Sequence, residues 1–133
     1  MGWVTFEVRT GRRAQLLDVT EKIAEVVKRA GVSDGVCHIY VPHTTAGVTI
    51  NEGADPDVAR DIEAQLARMV PKDADFAHGE GNSDSHIKAA LIGPSCAAPV
   101  SGGRLALGAW QAIFLCEWDG PRTRRVDVAV SVL

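Results

Sequence analysis

Apolar and polar residues alternate from the first residues of the chain. In "WVTFEVR", Val4, Phe6 and Val8 take one set of positions and Thr5, Glu7 and Arg9 the other, the pattern of a half-buried strand. "TGRR" turns the chain, and "AQLLDV" supplies a partner strand. In "DVTEKIAEVVKRAG" the period becomes helical. Asp18 or Thr20 caps this helix, Ile23, Val26 and Val27 form its buried stripe, and Gly31 ends it after Lys28 and Arg29. "GVCHIYVP" reads as a buried strand, apolar on both faces apart from His38, and "AGVTI" as the next strand. Asp55-Pro56 opens a second helix, on which Val58, Ile62, Leu66 and Met69 keep helical spacing until Pro71. After the glycine-rich "FAHGEGN", "SDSHIKAALIG" predicts a short third helix with Ile87, Ala90 and Leu91 facing inward. The last third is β: "SCAAPV", a "SGG" turn, "RLAL", "WQAIFLCEW", a "DGPR" turn and "RVDVAVSVL", in which Val126, Val128, Val130 and Val132 alternate.

Strands outnumber helices and do not alternate regularly with them, which favours an α+β fold over a doubly wound sheet. At 133 residues the chain is one domain, 1–133, long enough to bury a core without staples. Several long β runs in so small a domain leave edges to cover, so an oligomer is expected.

Charge removes some functions. A net charge of −3 gives no basic field for nucleic acid or anionic lipid, and the one dense basic cluster, Arg122, Arg124 and Arg125, is flanked by Asp119 and Asp127. Cys37, Cys96 and Cys116 are scattered through apolar stretches without a CxxC pair, as buried free thiols of a reducing compartment are. The first residues carry no basic leader before an apolar run, Phe6 stands where myristoylation requires Ser or Thr, and no apolar stretch approaches membrane-spanning length. A soluble, cytoplasmic protein without nucleic-acid or membrane partners is the expectation.

Some polar residues stand where a fold alone does not need them. His43 ends one strand, and Asn51 and Glu52 end the next; His78 lies in the glycine-rich loop. Asn82 and His86, four apart at a helix start, share a face, where the dipole favours the neutral imidazole that ligates a metal or accepts a proton. Three converging histidines fit a divalent metal with an open position; capping or core hydrogen bonding is the competing reading. His38, in mid-strand, reads as structural or interfacial. Asp55 is explained as a cap and Asp57 by the dipole, whereas Asp61, one turn further in, is placed to support a ligand or bind a cation. Thr44 and Thr45 suit either an anion or a turn. Trp110 reads as a core or interface anchor, and Gln111 as a hydrogen-bonding residue at a strand start. Arg122 and Arg124, two apart, form a phosphate clamp if they lie on one strand face, or a solvated turn if they do not.

Three blocks, "HTTAGVTINEGADPDV", "HGEGNSDSHIKAALIG" and "LGAWQAIFLCEWDGPRTRRV", follow one another in that order. Together they closely resemble the YjbQ-like family, labelled secondary thiamine-phosphate synthase enzymes, over nearly the whole chain. The resemblance implies a compact α+β fold on a mixed sheet with about three helices, assembled as a homotrimer. It implies a metal site on His43, His78 and His86, zinc foremost and magnesium as the alternative, between subunits. It further implies that Glu52, Asp61, Asn82, Gln111, Arg122 and Arg124 are site residues. In the family the residues between the Asn and the His are often alanine-rich; here they are Ser83, Asp84 and Ser85, and Asp84 adds charge near the site. The implied reaction joins hydroxymethylpyrimidine diphosphate to thiazole phosphate and releases diphosphate, so the expected partner is a small phosphorylated substrate. The alternatives are a hydrolase or lyase acting on another phosphorylated or heterocyclic substrate, and a trimeric metal- or ligand-binding protein without turnover.

Overall fold

The computed structural model describes residues 2–133. In chain order it contains β1 (Val4–Arg9), β2 (Gln15–Asp18), α1 (Thr20–Ala30), β3 (Gly35–Tyr40), β4 (Ala46–Glu52), α2 (Pro56–Met69) and α3 (Ser83–Ile92), then β5 (Ser95–Ser101), β6 (Arg104–Leu105), β7 (Gln111–Glu117) and β8 (Thr123–Val132). One sheet has five strands in the order β1-β8-β3-β5-β6, the other three in the order β2-β7-β4. The α+β class and its three helices are as expected. Where the resemblance implied a mixed sheet, every pairing among the described residues is antiparallel. The connections explain this: a parallel pair needs a crossover within one sheet, but α1 leads from the three-stranded sheet to the five-stranded one, and so do α2 and α3.

The sheets face each other across the main core, where Val126, Val128 and Val130 of β8 meet Cys37 and Ile39 of β3, Ile113 and Leu115 of β7, and Ile23 and Val27 of α1. On the other face of β7, Ala112, Phe114 and Cys116 join Trp118 and Ala89 of α3 in a second cluster. A strand buried on both faces is why "QAIFLC" is continuously apolar. Cys37 and Cys116 are buried free thiols as expected, Cys96 is half-buried, and burial raises Cys37 and Cys96 to about 11 and Cys116 to about 12.

The helices depart from the pattern more than the strands do. On α1 the N-cap position is Val19, with no side-chain cap; Asp18 Oδ1 instead accepts from the Thr20 N–H at 2.9 Å, while Thr20 Oγ1 accepts from Ile113 N–H at 2.8 Å. Gly31 ends the helix in the left-handed region, at φ 68°, as glycine permits. Asp55 caps α2 as expected, accepting from Asp57 N–H at 2.9 Å. No residue of α2 is buried, however, and Met69 is exposed.

On α3 the expected orientation is reversed. Asp84, Ser85, Lys88 and Ala89 face inward, and Ile87, Ala90 and Leu91 face out. Polar partners outweigh apolar spacing here, because Arg13 and Lys88 both bind the Asp84 carboxylate and Ser85 Oγ donates to the Trp118 carbonyl.

The C-terminal end of α3 is seated on β4 by a glycine. Val48 N–H donates to the Gly93 carbonyl at 3.1 Å, and a Cβ on Gly47 would stand 2.6 Å from the same oxygen. Gly47→Ala is therefore expected to cost about 1–3 kcal/mol through overpacking against backbone. A lowered urea midpoint would register it; an unchanged midpoint would mean that this seat does not hold α3.

Candidate active site

The β3–β4 connection, the β7–β8 connection and the start of α3 come together at one end of the three-stranded sheet. They form an open polar cavity of about 350 Å³ lined by Thr44, Thr45, Asn82, Asp119, Arg122 and Arg124, together with His78, Glu80 and His86. Five of the site residues that the resemblance implied, His78, Asn82, His86, Arg122 and Arg124, thus share one space, with Thr44 and Thr45 beside them.

Their partners set their roles. Asp119 Oδ2 accepts from Asn82 Nδ2 at 3.0 Å and from Arg122 Nη2 at 3.1 Å, and the Asp119 carbonyl accepts from Arg122 Nε at 2.7 Å. Asp119 thereby fixes the Asn82 amide with its nitrogen toward the carboxylate. Its oxygen, Oδ1, is buried without a hydrogen-bond partner, an acceptor whose burial is costly unless a donor or cation reaches it. The His78 and His86 rings meet edge to face with centroids 5.4 Å apart.

Arg124 is not a solvated turn residue. It is buried, its Nε donates to Glu117 Oε1 at 2.9 Å, and its Nη2 bonds Glu117 Oε2, the Thr45 carbonyl and Thr45 Oγ1. Those bonds leave Nη1 uncommitted. Arg122 is the exposed, more freely available cation of the two. Thr45 therefore takes the turn reading, tied to the arginine, and Thr44 remains as a cavity wall.

The other expected site residues do not line this cavity. His43 is next to Thr44 in sequence, but its Nε2 accepts from the Arg125 backbone N–H at 2.9 Å, so in this arrangement Nδ1 carries the proton. Burial, with Arg124 and Arg125 nearby, lowers its pKa and favours the neutral ring. Glu52 and Gln111 are paired across β4 and β7. Gln111 is six residues from Glu117 along the strand, or roughly 20 Å from the cavity end. Glu52 Oε2 accepts from Ala54 and Asp55 N–H groups, and Gln111 Oε1 from Gly108 N–H, so both organise turns. Asp61 lines a separate groove on α2 with Asn51 and Gln65.

His38 lies on β3, within hydrogen-bonding distance of Ser131 Oγ at 2.8 Å. Trp110 is 69 % exposed and anchors no core within the chain. Asp84 does not bring net charge to the site, because Arg13 and Lys88 neutralise it inside the fold.

The family model described as UPF0047 protein YjbQ-like matches residues 4–132. The chain belongs to this family. Among its relatives, UPF0047 protein MJ1081 of Methanocaldococcus jannaschii is 46 % identical, over 94 % of this chain and 91 % of that protein. UPF0047 protein YugU of Bacillus subtilis is 42 % identical, over 90 % of this chain and 92 % of that protein. The crystal structure of a YjbQ/UPF0047 family protein from Clostridium acetobutylicum superposes with a TM-score of 0.94 at 46 % identity, covering 96 % of this chain and 99 % of that one.

The donor set of this UPF0047 chain fits a divalent ion in part. Two imidazoles and the orphaned Asn82 Oδ1 share the cavity, and borderline-soft cations take such nitrogen and oxygen donors. Among the described residues, no three His, Cys, Asp or Glu side chains gather as a metal-binding group, and the His43 ring is engaged by Arg125. The same residues also suit an anion, through Arg122 and the free edge of Arg124.

Sequence reasoning missed Glu117 and undervalued Asp119, which was read only as a flank of the basic cluster. A signal for Glu117 existed: it is the one charge inside the apolar run "AIFLCEW", and a lone charge there is either exposed or paired.

Proposed function

We propose that this protein is a metal-assisted enzyme acting on a small phosphorylated substrate, with thiamine-phosphate synthase activity of the secondary kind. It would join hydroxymethylpyrimidine diphosphate to thiazole phosphate with release of diphosphate. The observation that carries the reading is the convergence of Arg122, Arg124, Asn82, His78 and His86 on one polar cavity.

In this reaction the thiazole nitrogen attacks the pyrimidine methylene carbon, the carbon–oxygen bond breaks, and its electron pair leaves on diphosphate. Charge therefore grows on the departing oxygens. Arg122 turns toward that charge from its tether on Asp119, and Arg124, locked by Glu117, offers Nη1 without having to reorganise. His78 and His86, which line the same cavity, would orient the leaving group. A divalent ion, zinc foremost, would be held by His78 and His86 with Asn82 Oδ1, and when bound it supplies Lewis-acid neutralisation of the leaving charge.

A homotrimer belongs to the same proposal. Met69, Leu91 and Trp110 are 60 %, 59 % and 69 % exposed, large apolar side chains that assembly would cover. Assembly would also allow His43, Glu52, Asp61 and Gln111 of one copy to approach the cavity of another. Sedimentation equilibrium is expected to give three times the chain mass.

Turnover tests the proposal directly. Metal-loaded protein supplied with both substrates should form thiamine phosphate and diphosphate in equal amounts. Arg122→Ala and His86→Ala should each lower kcat/KM by roughly 100-fold or more. Elemental analysis should find stoichiometric metal that His78→Ala and His86→Ala remove. Absence of thiamine phosphate from a metal-loaded, folded protein would reject the transfer reaction.

A further inference from the structure

The polar cavity has an apolar neighbour. A second cavity, of about 340 Å³, is lined by Phe76, Ala77, Ser83 and Ile87, and it shares His78 and His86 with the first. Its lining comes from the loop between α2 and α3 and from the outward face of α3, which is turned out because Asp84 and Lys88 take the inward one. Ile87 is 37 % exposed there, and Phe76 is half-buried although its neighbours in the loop are exposed.

From this adjacency we infer that the Phe76–Ile87 cavity is the subsite that receives the planar ring of the proposed phosphorylated substrate and selects for it. The inference rests on the reading of the polar cavity as an anion site. With the anionic group at Arg122 and Arg124 and the ring at Phe76 and Ile87, the two imidazoles stand at the join. Both cavities are lined by His78 and His86, so a ring in one and a phosphate in the other adjoin across those two side chains. Phosphosugars, polar throughout, gain nothing from the second cavity. Phe76 and Ile87 are thereby specificity residues that touch the non-reacting part of the substrate.

Calorimetric titrations with inorganic phosphate and with phenyl phosphate test this. Phenyl phosphate is expected to bind about tenfold more tightly, the return on burying part of one aromatic ring. Phe76→Ala should abolish that ratio while leaving the affinity for inorganic phosphate unchanged, which also shows that the variant is folded. Ile87→Ser, on a different element, should reduce the ratio independently. Arg122→Ala should weaken both probes by the same factor. Equal affinities for the two probes, or a ratio that survives both Phe76→Ala and Ile87→Ser, would overturn the subsite and leave the anion site standing. Binding of neither probe would overturn the anion site, and the subsite with it.

Discussion

Glu117→Ala is expected to destabilise the protein by about 3–5 kcal/mol, the cost of stranding a buried charge without its partner. Glu117 is fully buried at the end of β7 and Arg124 nearly so on β8, so the pair links the two sheets where the sandwich closes. The carboxylate collects five donors: Oε1 takes Thr10 Oγ1 at 2.8 Å and Arg124 Nε, and Oε2 takes Arg124 Nη2 and the N–H groups of Trp118 and Asp119, both at 3.0 Å. Burial by itself raises the Glu117 pKa, but the bonds from Arg124, the Asp119 backbone and Thr10 outweigh it, and the net shift is downward. Its stabilisation is therefore complete above the unfolded glutamate value of about 4.3 and is lost as pH falls through the lower folded value. Urea unfolding of Glu117→Ala at neutral pH measures the loss. A change under about 1 kcal/mol would mean that the pair contributes no more than a surface ion pair. The double variant Glu117→Leu/Arg124→Met should recover much of the stability, because no charge is then left stranded. It should not recover the phosphate affinity proposed for the polar cavity, because that proposal draws on the Arg124 guanidinium.

The same residue shows where the sequence stops being readable. Strands that alternate or run continuously apolar could be placed from pattern alone, β1, β3, β7 and β8 among them, because a sheet face buries every second residue whatever its partner. Helix α3 could not be oriented that way. Its apolar residues predict Ile87 and Leu91 inside, and only the arrival of Arg13 from the β1–β2 connection makes Asp84 and Lys88 the better face to bury. A long-range ion pair leaves no periodic trace. The site divides along the same line. Asn82 and His86 were legible as a pair because helical spacing relates them, whereas the distance between His43 and His78 depends on how two loops fold. Gln111 and Glu52 are cross-strand neighbours, yet no local pattern says at which end of the sheet the cavity forms.

Asp84→Ala is expected to cost a similar amount, about 3–5 kcal/mol, and for a related reason. Asp84 is fully buried; Arg13 grips it with two bonds of 3.0 Å, and Lys88 Nζ, itself 5 % exposed, donates to it at 2.8 Å. Removing the carboxylate leaves an ammonium enclosed beside the Trp118 ring, 5.9 Å from its centroid, which does not replace a carboxylate. Burial works to raise the Asp84 pKa, but hydrogen bonds from Arg13 and Lys88 bring it down to about 2. The unfolded value is about 3.9, so this one group contributes on the order of 2–3 kcal/mol of stability at neutral pH. The sign follows from the depressed value: the contribution is present above about pH 4 to 5 and drains away toward pH 2. Wild-type stability should fall across that window more steeply than that of Asp84→Ala/Lys88→Met, which lacks the titrating group. Parallel acid profiles for the two proteins would show that Asp84 is not held ionised. The double variant should also be more stable than Asp84→Ala alone, since Lys88 no longer carries a stranded charge. Because α3 supplies Asn82 and His86 to the cavity, a loosened Asp84 network should weaken phosphate binding before the protein unfolds, which separates its positioning role from bulk stability.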